Sequence, residues 1–382
     1  MNRIEKIRQE LLAQGKTITN LSSGNSGEFG ITFPPEILTK AFQNFQKNPA
    51  YSPDPKGNLE ARKAVCEFYK NRGSNIDPEN ILLTSGTSES YLHLFKLLTQ
   101  PGDEILFPNP SYPLFDHIAK LTNITLNHYT LDADNNWQIN LNDLESKITP
   151  KTKAIVLISP NNPTGSVLTQ TTLTSVLEIA QKHNITIISD EVFSEFIFST
   201  EPFPRLASLA STNSINIFTL NGISKTYALP GLKLSWIITA GPNAAEYIEE
   251  LELSVDTLLA CNQMSQVMLP TIIQDGEPFL QTYHKHLEES RKIAIEVLSQ
   301  SPNITFHEPQ GAFYIFAKIK NYNGTDEDFV IEMLKRENIF VHPGYFYDYE
   351  KGPHVLISFV MEANMLREVL TRFVQSTNVF CQ

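Results

Sequence analysis

The stretch ILLTSGTSESYLHLFKLLTQPGDEILFP, residues 81–108, decides the fold. ILLTSG reads as a short apolar strand that ends at a glycine, TSESYLHLFKLLTQ as a helix, Pro-Gly-Asp as a turn and EILFP as a second strand. Strand, helix and strand in that order make a βαβ unit, whose strands run parallel. The same alternation extends both ways. LEARKAVCEFYKNRG (59–73) reads as a helix upstream. Downstream come PLFDHIAKL (113–121, helix), ITLNHYTL (124–131, strand), AIVLIS (154–159, strand), TLTSVLEIAQKHN (172–184, helix) and ITIISDE (185–191, strand). The expected fold is α/β, with a mostly parallel central sheet and helices on both faces. Ligands of such sheets sit beyond the carboxyl ends of the strands. After Gly241 the pattern changes to long helices, 243–255 and 277–300, followed by the strands GAFYIFAKI (311–319) and HVLISFV (354–360). A large domain over 41–275 is therefore expected, with a smaller α/β domain built from 1–40 and 276–382. There are no repeats and no low-complexity segments.

Composition narrows the function. The chain has 382 residues, is 41% hydrophobic and 19% charged, and carries a formal net charge of −12. That acidity argues against nucleic acid or an anionic membrane as the main partner and favours small molecules. Cys66, Cys261 and Cys381 are widely spaced, with no C-x-x-C pair, so neither a disulfide framework nor a zinc site is expected. The charged amino terminus MNRIEKIRQELL lacks a signal-peptide core and no apolar run reaches bilayer-spanning length, so the expected location is the cytoplasm.

The stretch SKTYALPGLKLSW (224–236) places two lysines on a connection between the strand-like runs INIFTL (215–220) and LSWIIT (234–239). Connections carry chemistry more often than strands do. Three further segments fall at strand ends: SGTSES (85–90), SPNNPTG (159–165) and SDE (189–191). With YSPDPKG (51–57), PSYPLF (110–115), QGAFYIF (310–316) and HPGYFY (342–347), in this order, the chain resembles the class I/II aminotransferases among the fold type I pyridoxal-phosphate enzymes. The resemblance runs from about residue 20 to about residue 360.

Pyridoxal 5′-phosphate explains the residue types. Its aldehyde needs a partly desolvated lysine that forms a Schiff base and then returns as a general base, and Lys225 matches the family's lysine. Its ring nitrogen keeps a proton only beside a carboxylate, which the resemblance assigns to Asp190. Asn162 resembles the asparagine that donates to the phenolic oxygen. Gly86, Thr87 and Ser88 open a helix whose N–H groups suit a phosphate, with Ser224 and Lys233 as further contacts. Tyr112 resembles the aromatic residue stacked on the ring. Tyr51 resembles the tyrosine donated across a subunit boundary, which implies a homodimer. Gly24 and Asn162 are the implied substrate contacts. The implied activity is amino transfer between an amino donor and a 2-oxo acid.

The chain departs from the family at four positions. Lys233 replaces an arginine, Gly222 a serine, and Phe193 a tyrosine whose hydroxyl would also bond the phenolic oxygen. Leu356, in HVLISF, replaces the arginine that clamps the substrate carboxylate. Among the other arginines, Arg291, Arg336, Arg367 and Arg372 fall in stretches that read as helices, and Arg205 is the one candidate near the sheet's functional edge. Two other readings stay open: a C–S lyase on the same fold, and a protein that binds the cofactor without turnover.

Overall fold

The computed structural model describes residues 2–47, 49–199, 203–209 and 214–382. Its main sheet has eight strands: β1 (Ile81–Thr84), β2 (Glu104–Asn109), β3 (Thr125–Asp132), β4 (Gln138–Ile139), β5 (Thr152–Ile158), β6 (Thr186–Asp190), β7 (Ile217–Gly222) and β8 (Ser235–Ala240). They lie in the order β1-β8-β7-β6-β5-β2-β3-β4. The pairings among β2, β3, β5, β6 and β7 are parallel, while β8 runs antiparallel to both β1 and β7 and the short β4 antiparallel to β3.

Helices cover both faces, so the strands are buried on both sides and read as continuous apolar runs. Within each strand successive side chains enter opposite cores: Leu82, Ile105 and Val156 face one, Leu83, Leu106 and Ile155 the other. The first core is closed by α2 (Thr87–Leu98), α3 (Leu114–Thr122) and α5 (Ala244–Leu258). On the second side lie α1 (Leu59–Lys70) and α4 (Gln170–His183). The second core also runs on into the carboxy-terminal part, through Ile315, Val355 and Phe373.

That part holds a four-stranded antiparallel sheet of β9 (Ile304–Thr305), β10 (Tyr314–Ile319), β11 (His342–Pro343) and β12 (His354–Ser358), in the order β9-β10-β12-β11. Helices α7 (Glu277–Leu298), α8 (Asp326–Glu337) and α9 (Ala363–Phe380) accompany it. Near the amino terminus, Thr19–Asn20 pairs in parallel with Ile339–Phe340, which carries the following segment, Ser22 to Ser26, towards the main sheet's carboxyl edge.

Two features differ from the sequence reading. A helix, α6 (Gln263–Asp275), stands where none was expected, with Pro270 inside it. Proline removes one helical hydrogen bond; packing against α1 and the helix Pro35–Lys47, with Met268, Leu269 and Ile272 buried, offsets the loss. The second feature is the antiparallel β8. Because the chain leaves β7 and returns at once beside it, the connection 223–234 stays on the carboxyl edge of the sheet, and both of its lysines come to that edge. Cys66, Cys261 and Cys381 are unpaired. Among the described residues no helix is long and apolar enough to cross a membrane.

Candidate active site

A cavity of about 350 Å³ opens at this edge. The strand ends deliver its chemistry: Thr87 and Ser88 after β1, Tyr112 after β2, Asn162 after β5, Asp190 at the end of β6, and Ser224 and Lys225 after β7 all line it, with Gly24 from the amino-terminal segment.

Lys225 lies in the short helical turn Ile223–Thr226. Its Nζ donates to the Gly24 carbonyl oxygen at 3.3 Å and lies 5.7 Å and 5.9 Å from the ring centres of Phe193 and Phe313. No carboxylate pairs with it among the described residues, and burial lowers its pKa to about 8. An amine with that pKa is partly unprotonated at neutral pH, the state a nucleophile requires.

Asp190 is 7% exposed, and burial raises its carboxyl to about 6. It accepts from the Tyr91 hydroxyl at 2.9 Å and from the Val192 N–H at 3.2 Å. The Asn162 Oδ1 is buried with no hydrogen-bond partner. Helix α2 starts at Gly86 (φ 107°) with no side-chain cap, which leaves its first N–H groups for a ligand. A Cβ on Gly86 would lie 3.1 Å from the Lys233 Nζ, so that ammonium stands at the helix start although Lys233 does not line the cavity. At Gly222 a Cβ would come within 2.7 Å of the Ser235 Cβ, so Ser235 occupies the space a larger residue would need. A buried carboxylate, an amine with no acidic partner and an uncapped helix start flanked by an ammonium fit the ring nitrogen, aldehyde and phosphate of pyridoxal 5′-phosphate, and the Asn162 amide on the cavity wall has an Nδ2 donor to offer the phenolic oxygen.

Tyr112 lines the cavity and is 45% exposed. Tyr51 does not line it; it is 68% exposed. Several lining residues escaped the sequence reading. Tyr91 lies in the run TSESYLHLFKLLTQ, whose pattern gave a helix and marked no functional residue beyond its start. Tyr314, His342 and Tyr347 lie within motifs that carried the resemblance, but nothing in their spacing marked them. The His342 Nδ1 is 2.9 Å from the Tyr347 hydroxyl, and burial lowers the imidazole to about 4, so it is neutral near pH 7.

Among the described residues no arginine lines the cavity. Arg205 is held at 2.6 Å by Glu195 and 3.9 Å by Glu191, and its hydroxyl partner is Ser194 at 2.9 Å, so it belongs to a partly buried ion cluster and not to the pocket. Arg291 pairs with Glu308, Arg336 and Arg372 with Glu337, and Arg367 with Glu296. Leu356 is fully buried and pairs across the sheet with Phe316 and His342.

A doubly wound sheet with this set of groups on its carboxyl edge defines a fold type I pyridoxal-phosphate enzyme. The chain belongs to the aminotransferase class I and II family, whose model matches residues 16–373, and is a pyridoxal-phosphate-dependent aminotransferase. It is 33% identical to the glutamate-pyruvate aminotransferase AlaA of Haemophilus influenzae over 378 residues, 97% of this chain and 93% of that one. It is 32% identical to an alanine aminotransferase of Mycobacterium tuberculosis, covering 90% of this chain and 82% of the relative. Among solved structures, the alanine aminotransferase from Pyrococcus furiosus superposes with a TM-score of 0.92 at 29% identity, covering 98% of this chain and 96% of that chain. An aminotransferase from Escherichia coli gives 0.91 at 30% identity, covering 100% and 96%.

Proposed function

We propose that the protein exchanges an amino group between a small α-amino acid, alanine or glutamate, and a 2-oxo acid, using Lys225 as the covalent amine and proton carrier. The observation that carries this is the Lys225 amine, partly buried, with no acidic partner, in one cavity with Asp190 and the start of α2. Bound pyridoxal 5′-phosphate supplies the aldehyde and the electron-withdrawing ring. Asp190 would hold the proton on the ring nitrogen, Asn162 would donate to the phenolic oxygen, Gly86, Thr87, Ser88, Ser224 and Lys233 would hold the phosphate, and Tyr112 would stack on the ring. Lys225 would take the proton from the substrate's α-carbon, and Phe193 and Phe313 beside its Nζ would keep water from it. With Leu356 in place of an arginine, the substrate carboxylate meets neutral donors of Ser22 to Ser26 and Asn162. A second copy of the chain supplies Tyr51 to complete the site, which makes the active unit a homodimer located in the cytoplasm. Residues 41–275 form the cofactor-binding domain, and 1–40 with 276–382 the smaller one.

The test is the visible spectrum of the cofactor-loaded protein as amino acids are added singly. L-Alanine or L-glutamate should bleach the yellow band and release the matching 2-oxo acid, and adding pyruvate or 2-oxoglutarate should restore it. Pyruvate, ammonia and thiol formed from cystathionine without bleaching would assign a lyase. A protein that stays colourless with pyridoxal phosphate would remove the reading.

A further inference from the structure

Asp190 presents a physical problem. A carboxylate 93% removed from solvent is driven towards its neutral form, and a neutral carboxyl cannot hold a proton on a ring nitrogen. Among the described residues no ammonium or guanidinium is hydrogen-bonded to it. The charged and titratable groups near it are Glu191, Lys225 and Tyr91. Glu191 turns its carboxylate away to the Ser189 hydroxyl, the Leu206 N–H and Arg205. Lys225 makes its hydrogen bond to Gly24. What remains on Asp190 is one backbone N–H on Oδ1 and the Tyr91 hydroxyl on Oδ2.

Tyr91 is built to stay there. It is 2% exposed, and its ring is held by Phe115, Phe95 and Phe107 at centroid distances of 4.8, 5.7 and 6.3 Å. Its pKa is raised well above that of a free phenol, first by burial and then by the Asp190 charge, so it donates at every pH of interest. It stands one helical turn after Thr87 on α2, so the helix that opens onto the cavity at Thr87 and Ser88 also reaches Asp190.

Resting on the reading of Asp190 given above, we propose that Tyr91 is a positioning residue: its hydroxyl keeps the Asp190 carboxylate ionised and fixed in one orientation in the cavity. A neutral donor thus does work that would otherwise fall to a cation.

The experiment compares Tyr91→Phe with Asp190→Asn and the wild type. In the apoprotein, infrared titration of the protonated carboxyl band, assigned by its loss in Asp190→Asn, should place Asp190 about one pH unit higher in Tyr91→Phe. The dissociation constant for pyridoxal 5′-phosphate should rise by about tenfold or more, the loss of one hydrogen bond to a charged group. Thermal unfolding should change little, because the ring remains packed. Should Tyr91→Phe fail to fold, 3-fluorotyrosine at position 91, a stronger donor of nearly the same shape, should move Asp190 the opposite way. An unshifted Asp190 titration in either variant overturns the proposal. Unchanged cofactor affinity in Asp190→Asn overturns instead the reading of Asp190 on which the proposal rests.

Discussion

Replacing Lys225 with methionine should stabilise the cofactor-free protein at neutral pH while abolishing turnover. In the fold the lysine titrates near 8 instead of 10.5, because burial penalises the ammonium. At pH 7 it is charged in both states, and the folded state bears a penalty of about 2.5 pH units, or ~3 kcal/mol. Two contacts work against this penalty. Phe193 and Phe313 lie within cation–π range, which offsets about 0.5–1 kcal/mol, and the 3.3 Å bond to Gly24 is long. Methionine keeps the stem length and drops the charge, so Lys225→Met should gain about 2 kcal/mol. The sign with pH follows from proton counting. Between pH 8 and 10.5 the unfolded chain binds more protons at this site than the fold, so wild-type stability rises with pH and the advantage of the variant shrinks to a few tenths of a kcal/mol by about pH 10.5. Urea denaturation of both apoproteins at pH 7, 9 and 10.5 measures it. A variant no more stable than wild type at pH 7, or an advantage that does not fall as pH rises, would refute the idea that desolvation sets the reactivity of Lys225.

Three further outcomes are expected. Phe193→Tyr adds a donor beside Lys225, and in the cofactor-loaded enzyme the visible absorption titration should move to lower pH; an unmoved or raised midpoint refutes it. Without a guanidinium in the cavity, stopped-flow reactions of alanine, glutamate and aspartate should saturate weakly, tenfold to a thousandfold poorer than a bidentate contact allows, and Arg205→Ala, which takes the guanidinium from the largely buried carboxylates of Glu191 and Glu195 and so lowers stability, should leave the saturating concentrations unchanged. Tight binding of an ordinary α-amino acid would show that a cation reaches the pocket after all. Finally, activity per chain should fall on dilution as the dimer dissociates, and Tyr51→Phe should weaken cofactor retention; full activity of a monomer contradicts the composite site.

The alternation of strand-like and helix-like runs between residues 59 and 191 was enough to name a mostly parallel sheet, because side-chain periodicity is a local property. The same holds for Lys225, Asp190, Asn162 and the start of α2. Each sits within a few residues of a strand's carboxyl end, and in a parallel sheet all such ends share one edge. Facts that depend on chain direction or on distant partners were not legible. The antiparallel run of β8, which brings Lys233 back to Gly86, is a pairing decision between strands and leaves no trace in their composition. Helix α6 forms around Pro270 only because two other helices cover it. Arg205 looked available from its place in a loop, yet Glu191 and Glu195 claim it, since a cation that is largely buried must find its counter-charge nearby. Tyr91 is buried in the core, which its place in a helix-like run did not reveal. Only the tertiary placement of β6 beneath α2 turns one buried hydroxyl into the partner of Asp190.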